Sequence, residues 1–367
     1  MFGDRRPVHV PAVASAQRNG LRVHVFEEGY FRPYWVTLER EGVNARSLLP
    51  KDPDWYREVG ASLPDYADGQ AFRSAFSMRA IHDITYHVAG IWNPLFYSGY
   101  RTHAPVTAPI EYAAYLRRVA SVFLCKQADQ ELIQRLATQK KTYYVLPLQL
   151  NSDTQIREYS QFSDMQQVLR FVMQSFALHA PSESLLVIKN HPLDTGLVNY
   201  ARHINQLSGE FDLAGRVEYL ESGDLNTLLL NAKGLVTVNS TVGGLAIHLG
   251  CPTITLSNPI YNLPGLTFQG GLDHFWSNIQ PVDRDLSYFF RNTVIHATQV
   301  NGGFYCNEGI TMAVENSMYA LQSDVSPLTD LLQRFPISAN SPRVNVTPNT
   351  VHSSTNELIN IAAIEQS

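Results

Sequence analysis

Short apolar runs alternate with amphipathic stretches through the middle of the chain. The runs are rich in β-branched and aromatic residues, which predicts strands at Tyr143–Leu148, Leu185–Ile188, Val217–Leu220, Leu235–Val238 and Thr253–Leu256. The spacing of apolar residues between these runs predicts helices at Phe162–Leu178, Leu197–Leu207, Asp224–Ala232 and Asn239–His248. Strands that alternate with helices are typical of βαβ units, which build a parallel sheet.

The beginning and the end of the chain are patterned differently. Leu21–Phe26 alternates between apolar and polar residues, which predicts a strand, and a helix is predicted from about Ile110 into Ala128. From about Ser323 the composition shifts to Ser, Asn, Pro, Thr and Val, which predicts a mobile tail. The pattern divides the chain into an N-terminal domain, an α/β domain, a helical segment and a tail, at 1–136, 137–300, 301–322 and 323–367.

Composition narrows the functional classes. The 367 residues carry a net charge of −5, so the chain lacks the basic surface of a general nucleic-acid binder. Three widely spaced cysteines argue against a disulfide scaffold or a cysteine zinc site, and the N-terminal MFGDRRPVHV contains no signal-peptide run. The motifs G-x-G-x-x-G and G-x-x-x-x-G-K-[ST] do not occur, which argues against Rossmann dinucleotide-binding and P-loop enzymes. The motif G-x-S-x-G does not occur either. Asp283-Arg284-Asp285 is expected to cap a helix rather than to bind a metal.

An acidic pair, Glu27-Glu28-Gly29, directly follows the first predicted strand. Ligands of open α/β sheets bind at the carboxyl ends of strands, so polar residues at such positions are candidate site residues. Two adjacent carboxylates repel each other, which suits general acid or base catalysis by one of them, and the glycine lets the chain turn. A solvated acidic turn would have the same sequence.

A second cluster, Gln149, Asp153 and Gln155, lies in the loop after Tyr143–Leu148. Asp153 is a candidate nucleophile, or a carboxylate that stabilises an oxocarbenium-like centre. The two amides are candidate partners for sugar hydroxyls. Asp153 would equally suit an Asx turn or a helix cap.

A third cluster, the tetrapeptide Lys189-Asn190-His191-Pro192, ends a predicted strand. Lysine supplies positive charge to a phosphate, histidine supplies a hydrogen-bond donor or a proton, and Pro192 stiffens the turn. An ordinary surface loop is the alternative.

A fourth cluster, Asn239-Ser240-Thr241, lies between a predicted strand and a predicted helix. Hydroxyls and free backbone N–H groups at a helix N-terminus bind anions. Ser240 also suits ordinary N-capping, and the two roles are compatible.

Glu-Glu-Gly, His-Pro and Ser-Thr, each at a strand end, resemble the order of motifs in GT-B glycosyltransferases that use CMP-activated acidic sugars. Longer segments resemble KpsS-type capsule polysaccharide biosynthesis proteins more closely. They cover nearly all of the chain before the tail: FGDRRPVH at 2–9, VFEEGYFRPYWVTLEREGVNARSLLP at 25–50, YSGYRTHAP at 97–105, PLQLNSDTQI at 147–156, KNHPLD at 189–194, VNSTVGGLAIHLGCP at 238–252 and NGGFY at 301–305. Family members usually carry a βα region before the FGDRRPVH segment, so the N-terminal domain is expected to be incomplete at its start.

The resemblance implies an α/β fold of the GT-B type, with two Rossmann-like domains and a cleft between them. It implies a transferase that moves 3-deoxy-D-manno-octulosonic acid (Kdo) from CMP-Kdo to a phosphatidylglycerol-type lipid, which starts the poly-Kdo linker of a bacterial capsule. Such an enzyme would need no cofactor or metal. It would work in the cytoplasm, peripherally at the inner face of the bacterial inner membrane, with capsule biosynthesis and export proteins as partners.

The same interpretation assigns roles to the four clusters. Glu27 or Glu28, with Glu28 preferred, is the base that activates the acceptor hydroxyl, and Asp153 is the nucleophile if the reaction retains configuration. The donor-binding residues are Gln149, Gln155, Lys189, His191, Pro192, Asn239, Ser240 and Thr241. The residues that bind the lipid phosphate or the Kdo carboxylate are Arg32, Arg101 and His103, because cationic side chains fit either anion.

Two alternative functions use the same clusters. Another CMP-sugar transferase, such as a sialyltransferase, would share the phosphate site and differ around the sugar. A non-catalytic scaffold of the capsule export machinery would need no phosphate site, so the acidic pair and the Lys-x-His-Pro motif argue against it.

Overall fold

The computed structural model describes residues 1–5, 8–40, 42–66, 68–73, 81, 85–86, 88–90, 93–97, 108–138, 141–150, 156 and 160–337. The helices are α1 (His9–Arg18), α2 (Pro53–Ser62), α3 (Asn93–Phe96), α4 (Ala108–Thr138), α5 (Met165–His179), α6 (Tyr200–Glu210), α7 (Leu225–Asn231), α8 (Thr241–Leu249), α9 (Leu272–Phe275), α10 (Arg284–Thr298), α11 (Asn307–Gln322) and α12 (Pro327–Arg334). The strands are β1 (His24–Glu28), β2 (Trp35–Arg40), β3 (Tyr143–Pro147), β4 (Leu185–Lys189), β5 (Val217–Leu220), β6 (Gly234–Thr237), β7 (Thr253–Thr255) and β8 (Gln299–Asn301).

Five parallel strands form the sheet of the second half, in the order β5-β4-β3-β6-β7. β4 and β5 extend the sheet to one side of β3, whereas β6 and β7 extend it to the other, so the strand order reverses between β3 and β6. β3, β4 and β6 are buried along their whole length because helices cover both faces. α5, α6 and α9 pack on one face, and α4, α7 and α8 pack on the other. The predicted α/β fold with a parallel sheet is confirmed.

Side-chain caps set where the helices of the second half begin. Asp164, Asp224 and Asp283 each accept a hydrogen bond from a backbone N–H in the first turn of α5, α7 and α10. Ser240 does the same for α8. The expected capping role of Asp283 is therefore confirmed, and a carboxylate there also complements the helix dipole.

The first half contains a different kind of sheet. β1 and β2 form a hairpin, and β8 joins β2 from far along the chain, with all pairs antiparallel. The connection over 29–34 is short enough for antiparallel neighbours, whereas parallel neighbours need a crossover of a dozen residues or more. A parallel bridge also joins Phe2 to Phe26 of β1, with α1 between them in the chain. The described part of the first half therefore contains one parallel βα step beside an antiparallel hairpin.

A continuous apolar core joins the two halves. α10 packs against α2, and the Phe290 and Tyr56 rings meet edge to face with their centroids 4.9 Å apart. The same buried cluster takes in Ile247 of α8 and Phe31, which follows the β1 strand. The two sheets are therefore held by one hydrophobic contact as well as by the chain between them.

α12 lies inside the region that composition assigns to a tail. Ser326 caps this helix, Pro327 occupies its first turn, and Leu328 and Leu331 are buried where α12 packs against α10. The tail prediction is therefore wrong for residues 327–334. The helix is short and buries only two leucines against α10, so the polar composition of the surrounding segment conceals it. Residues 338–367 of the predicted tail lie outside the described residues.

The predicted boundary at 136 falls inside α4, which continues to Thr138. The other domain limits stay predictions, although α11 lies where the helical segment 301–322 is expected. Across the part of the chain that the structure describes, no helix combines the length and apolar content needed to cross a membrane.

Candidate functional site

A cleft of about 440 Å³ opens between the two sheets. The predicted site residues that line it are Glu27, Glu28 and Arg32 from the first half and Gln149, His191, Asn239, Ser240 and Thr241 from the ends of the parallel strands. Tyr305, just before α11, lines it as well. The acidic pair and the candidate phosphate-binding groups therefore share one cavity.

Gln149 and Asn239 lie where the strand order of the sheet reverses. Gln149 follows β3 and Asn239 follows β6, and ligands of open α/β sheets bind at such a switch point. The Gln149 Nε2 donates to Asn239 Oδ1 at 3.1 Å, and the Asn239 backbone N–H donates to Gln149 Oε1 at 3.3 Å. Because both ends of the Gln149 amide are used here, its observed role is to hold two strand-end loops together.

The N-terminus of α8 borders the cleft. Ser240 Oγ accepts a hydrogen bond from the backbone N–H of Val242 at 3.2 Å, which confirms the predicted cap. The Tyr261 hydroxyl donates to the Ser240 carbonyl, and a Cβ on Gly243 would lie 2.3 Å from that hydroxyl. Gly243 therefore makes room for the tyrosine that fixes the loop. A helix end held in this way presents its positive dipole to an anion.

His191 lines the cleft as a neutral imidazole. Its Nδ1 accepts a hydrogen bond from the backbone N–H of Leu193 at 3.1 Å, which assigns the ring proton to Nε2. Burial, followed by the positive charges of Lys189 and Arg32, lowers the pKa of His191 to about 4, against the opposing charge of Asp194. At neutral pH His191 is therefore a hydrogen-bond donor and not a source of positive charge.

A buried arginine of α4 holds the turn that carries His191. Arg118 donates to the carbonyl oxygens of His191 at 3.0 Å and Asp194 at 2.9 Å, and also to the Asp194 carboxylate at 2.9 Å. Its Nε lies 3.6 Å from a carboxylate oxygen of Glu221. Asn190 donates to Glu221 at 3.1 Å and accepts from the His191 backbone N–H at 2.8 Å. The turn is therefore fixed from two sides before any ligand binds.

Two predicted donor-binding residues of the same motif, Lys189 and Pro192, do not line the cleft. Lys189 is buried at the end of β4, where its Nζ donates to the Asn190 carbonyl at 3.4 Å. Burial and the neighbouring Arg118 lower the pKa of Lys189. Pro192 is exposed beside the cleft. The structure does not support direct donor contacts by these two residues, because Lys189 points into the helical layer and reaches the site only through its charge.

The acidic pair occupies consecutive positions at the end of β1. Both side chains line the cleft, and the Glu28 backbone N–H donates to Glu27 Oε1 at 3.0 Å. The Tyr305 hydroxyl donates to Glu28 Oε1 at 2.6 Å. A Cβ on Gly29 would lie 2.2 Å from the Trp35 carbonyl oxygen, so this glycine permits the close approach of the hairpin strands.

Arg32 lines the cleft, and its charge acts on His191. Because Arg32 comes from the first half and His191 from the second, the two halves of the site meet across the cleft. The other predicted residues, Asp153, Gln155, Arg101 and His103, lie outside the described residues, and their roles stay predictions.

Several lining residues have no predicted role, and among them are Tyr30, Asn44 and Tyr305. The Asn44 backbone N–H donates to the Tyr30 hydroxyl at 2.7 Å, and that hydroxyl donates to Glu39 at 2.7 Å. Burial raises the pKa of Glu39 to about 7, although hydrogen bonds from two hydroxyls oppose it. All three residues belong to the segments 25–50 and 301–305 that carry the family resemblance, but local pattern does not show which of them reach a cleft.

Known proteins include relatives that match most of this chain. Residues 1–305 match the family described as capsule polysaccharide biosynthesis protein. The chain is 36% identical to the capsule polysaccharide export protein KpsS of Escherichia coli over 307 residues, which cover 83% of this chain and 78% of that protein. It is 34% identical to the capsule polysaccharide modification protein LipB of Neisseria meningitidis serogroup B over 308 residues, which cover 83% and 74%. The resemblance found in the sequence is confirmed.

Solved structures that match this chain are more distant in sequence. A KpsC β-Kdo 2,7 transferase from Thermosulfurimonas dismutans is 16% identical, covers 83% of this chain and 77% of its own, and has a TM-score of 0.37. The corresponding β-Kdo 2,4 transferase is 14% identical, covers 79% and 77%, and has a TM-score of 0.36. At this distance neither structure informs the roles of individual residues.

Proposed function

Because the chain belongs to the capsule polysaccharide biosynthesis family, we propose that it is a glycosyltransferase that moves Kdo from CMP-Kdo to a phosphatidylglycerol-type lipid. The product would start the poly-Kdo linker of a capsule. The supporting observation is the single cleft that combines two carboxylates of β1 with His191 and the N-terminus of α8. The proposal needs no metal or cofactor, and it places the enzyme with capsule biosynthesis and export proteins at the inner face of the inner membrane.

The phosphate of CMP is proposed to bind between His191 and the N-terminus of α8. His191 Nε2 donates one hydrogen bond, and the hydroxyl and backbone N–H groups at Ser240 and Thr241 supply others. Arg32 supplies the positive charge that a neutral His191 does not. Negative charge grows on the phosphate as the sugar leaves, so these groups bind the transition state more strongly than the substrate.

The transfer of Kdo is proposed to occur in two steps, the first carried out by Asp153 and the second by Glu28. In the first, the Asp153 carboxylate attacks the anomeric carbon of Kdo, the bond from that carbon to the phosphate oxygen breaks, and CMP leaves. In the second, Glu28 takes the proton of the acceptor hydroxyl while its oxygen attacks the same carbon and releases Asp153. Two inversions retain the configuration of the sugar.

The direct test is incubation of the full chain with CMP-Kdo and a fluorescent phosphatidylglycerol, followed by the mass of the product. One added Kdo is the expected result. Competition with CMP-sialic acid separates the proposal from a sialyltransferase, which would prefer the competitor. Absence of CMP binding in calorimetry would favour a scaffold and contradict the proposal.

Glu28→Gln should lower the transfer rate by about 100-fold or more while CMP affinity stays within about twofold, because the base acts on the acceptor and not on the nucleotide. Asp153→Ala should abolish transfer with the same retained CMP binding. Glu58→Gln, an exposed glutamate of α2, is the matched control and should change neither quantity. Near-normal turnover of Asp153→Ala would remove its assignment as nucleophile.

A further inference from the structure

The long helix α4 carries an apolar stripe that faces solvent. Tyr112, Leu116, Val119 and Phe123 recur at spacings of four, three and four residues, which places them on one side of the helix. Leu116 is 70% exposed, Val119 50% and Phe123 79%. The opposite side of the helix is occupied, because Arg118 and, further along, Asp129, Ile133 and Leu136 are buried, the last two in the core beneath the parallel sheet.

The stripe changes character halfway along the helix. The positions that continue the same spacing are Gln127, Gln130 and Gln134, all exposed. An ordinary solvent-facing helix side would be polar along its whole length. The apolar half of α4 is therefore built to meet an apolar environment, whereas the glutamine half is built to remain in water.

The charges around the stripe indicate what this environment is. Between Glu111 and Asp129 the sequence holds no acidic residue and three basic ones, in a chain with a net charge of −5. Of these, Arg117 and Lys126 are exposed; Arg117 donates to the Gly196 carbonyl, whereas Lys126 lies three residues after Phe123, beside the stripe. An anionic bilayer surface supplies both the apolar layer and the negative charge.

We propose that the apolar half of α4 lies in the interface of an anionic phospholipid bilayer and brings the cleft to its lipid acceptor. The link to the cleft is direct, because Arg118 on the opposite side of the same helix segment bonds the turn that carries His191. Bilayer binding does not depend on the proposed function, and only the delivery of a lipid acceptor rests on it.

The test is flotation of the full chain with vesicles of phosphatidylcholine, with and without one quarter phosphatidylglycerol. The wild type should float with the anionic vesicles, and less so at high salt. The double variant Leu116→Glu/Phe123→Glu should bind at least tenfold more weakly. Leu178→Glu/Tyr319→Glu is the matched control, since these residues are 70% and 77% exposed on α5 and α11, and it should bind like the wild type. If the first pair lowers the melting temperature, the serine pair Leu116→Ser/Phe123→Ser replaces it.

Three results would overturn the inference. They are a wild type that floats with no vesicle, a control pair that loses as much binding as the α4 pair, and a wild-type dimer in light scattering that the α4 pair dissociates. Transfer to dispersed short-chain phosphatidylglycerol separates the two proposals. If the α4 pair keeps this transfer but loses transfer on vesicles, both proposals stand. If the wild type floats but transfers nothing to either acceptor, the proposed function fails and the bilayer surface remains.

Discussion

The hydrogen bond from Tyr305 to Glu28 connects residues 277 positions apart in the chain. Glu28 lies at the end of a strand, where a free carboxylate would sample several rotamers. The tyrosine restricts that freedom by donating to Oε1 of the carboxylate. Positioning of a base within hydrogen-bond reach of its proton is the first requirement of general base catalysis.

Tyr305→Phe should lower the transfer rate by about tenfold or more, because a hydrogen bond to a charged group contributes about 1.5–3 kcal/mol. The melting temperature should change little, since the ring remains. Tyr288→Phe is the matched control, because its hydroxyl also bonds a carboxylate, that of Asp65, on the exposed surface. Equal effects of the two variants on transfer would contradict the positioning role.

His191 should make folding stability depend on pH in a defined window. Its pKa is about 4 in the folded chain, whereas an unfolded histidine titrates near 6.5. Between these values the unfolded chain binds more protons at this position, so stability is lost as the pH falls from about 6.5 to 4. Urea unfolding at pH 7, 6 and 5 should show a steeper decline for the wild type than for His191→Gln. Parallel declines would show that this histidine is not held neutral.

At the scale of single elements, α4 links the cleft to the surface through Arg118. Arg118→Met should lower the free energy of unfolding by about 3–5 kcal/mol, because it leaves the largely buried carboxylates of Asp194 and Glu221 without their cationic partner. It should also raise the KM for CMP-Kdo, since the His191 turn loses its support. Lys126→Met, at an exposed position of the same helix, is the control and should stay within about 0.5 kcal/mol. An unchanged KM in Arg118→Met would limit this arginine to a structural role.

The sequence predicts those helices and strands whose capping residues and apolar pattern lie within the element itself. Ser240 precedes an apolar helical pattern, and α8 begins directly after it, as the predicted cap requires. β2 has no such signature, because burial on both faces removes the alternation. β8 is three residues long and exists only through its pairing with β2. The site residues divide in the same way. His191 could be predicted because it directly follows a strand, whereas Arg118, which bonds the His191 carbonyl, lies 73 residues earlier in the chain.

At the scale of the whole molecule, the core between α2, α10 and α12 decides whether the two sheets stay in place around the cleft. Leu331→Ala should lower the free energy of unfolding by about 2–5 kcal/mol, because its side chain is buried between these helices. Leu178→Ala, at an exposed position of α5, is the control and should have little effect. Urea unfolding measures both. A small effect of Leu331→Ala would show that α12 is not part of the cooperative core.

The late position of β8 in the chain determines when the antiparallel sheet can be completed during synthesis. β1 and β2 leave the ribosome early, but the strand that completes their sheet contains Val300, which pairs with Val36. Until some 260 further residues have been synthesised, one edge of the hairpin has no strand beside it. The parallel sheet can assemble in the meantime, since its strands lie between Tyr143 and Thr255. The nascent N-terminal hairpin is therefore the segment that chaperones would have to shield from aggregation.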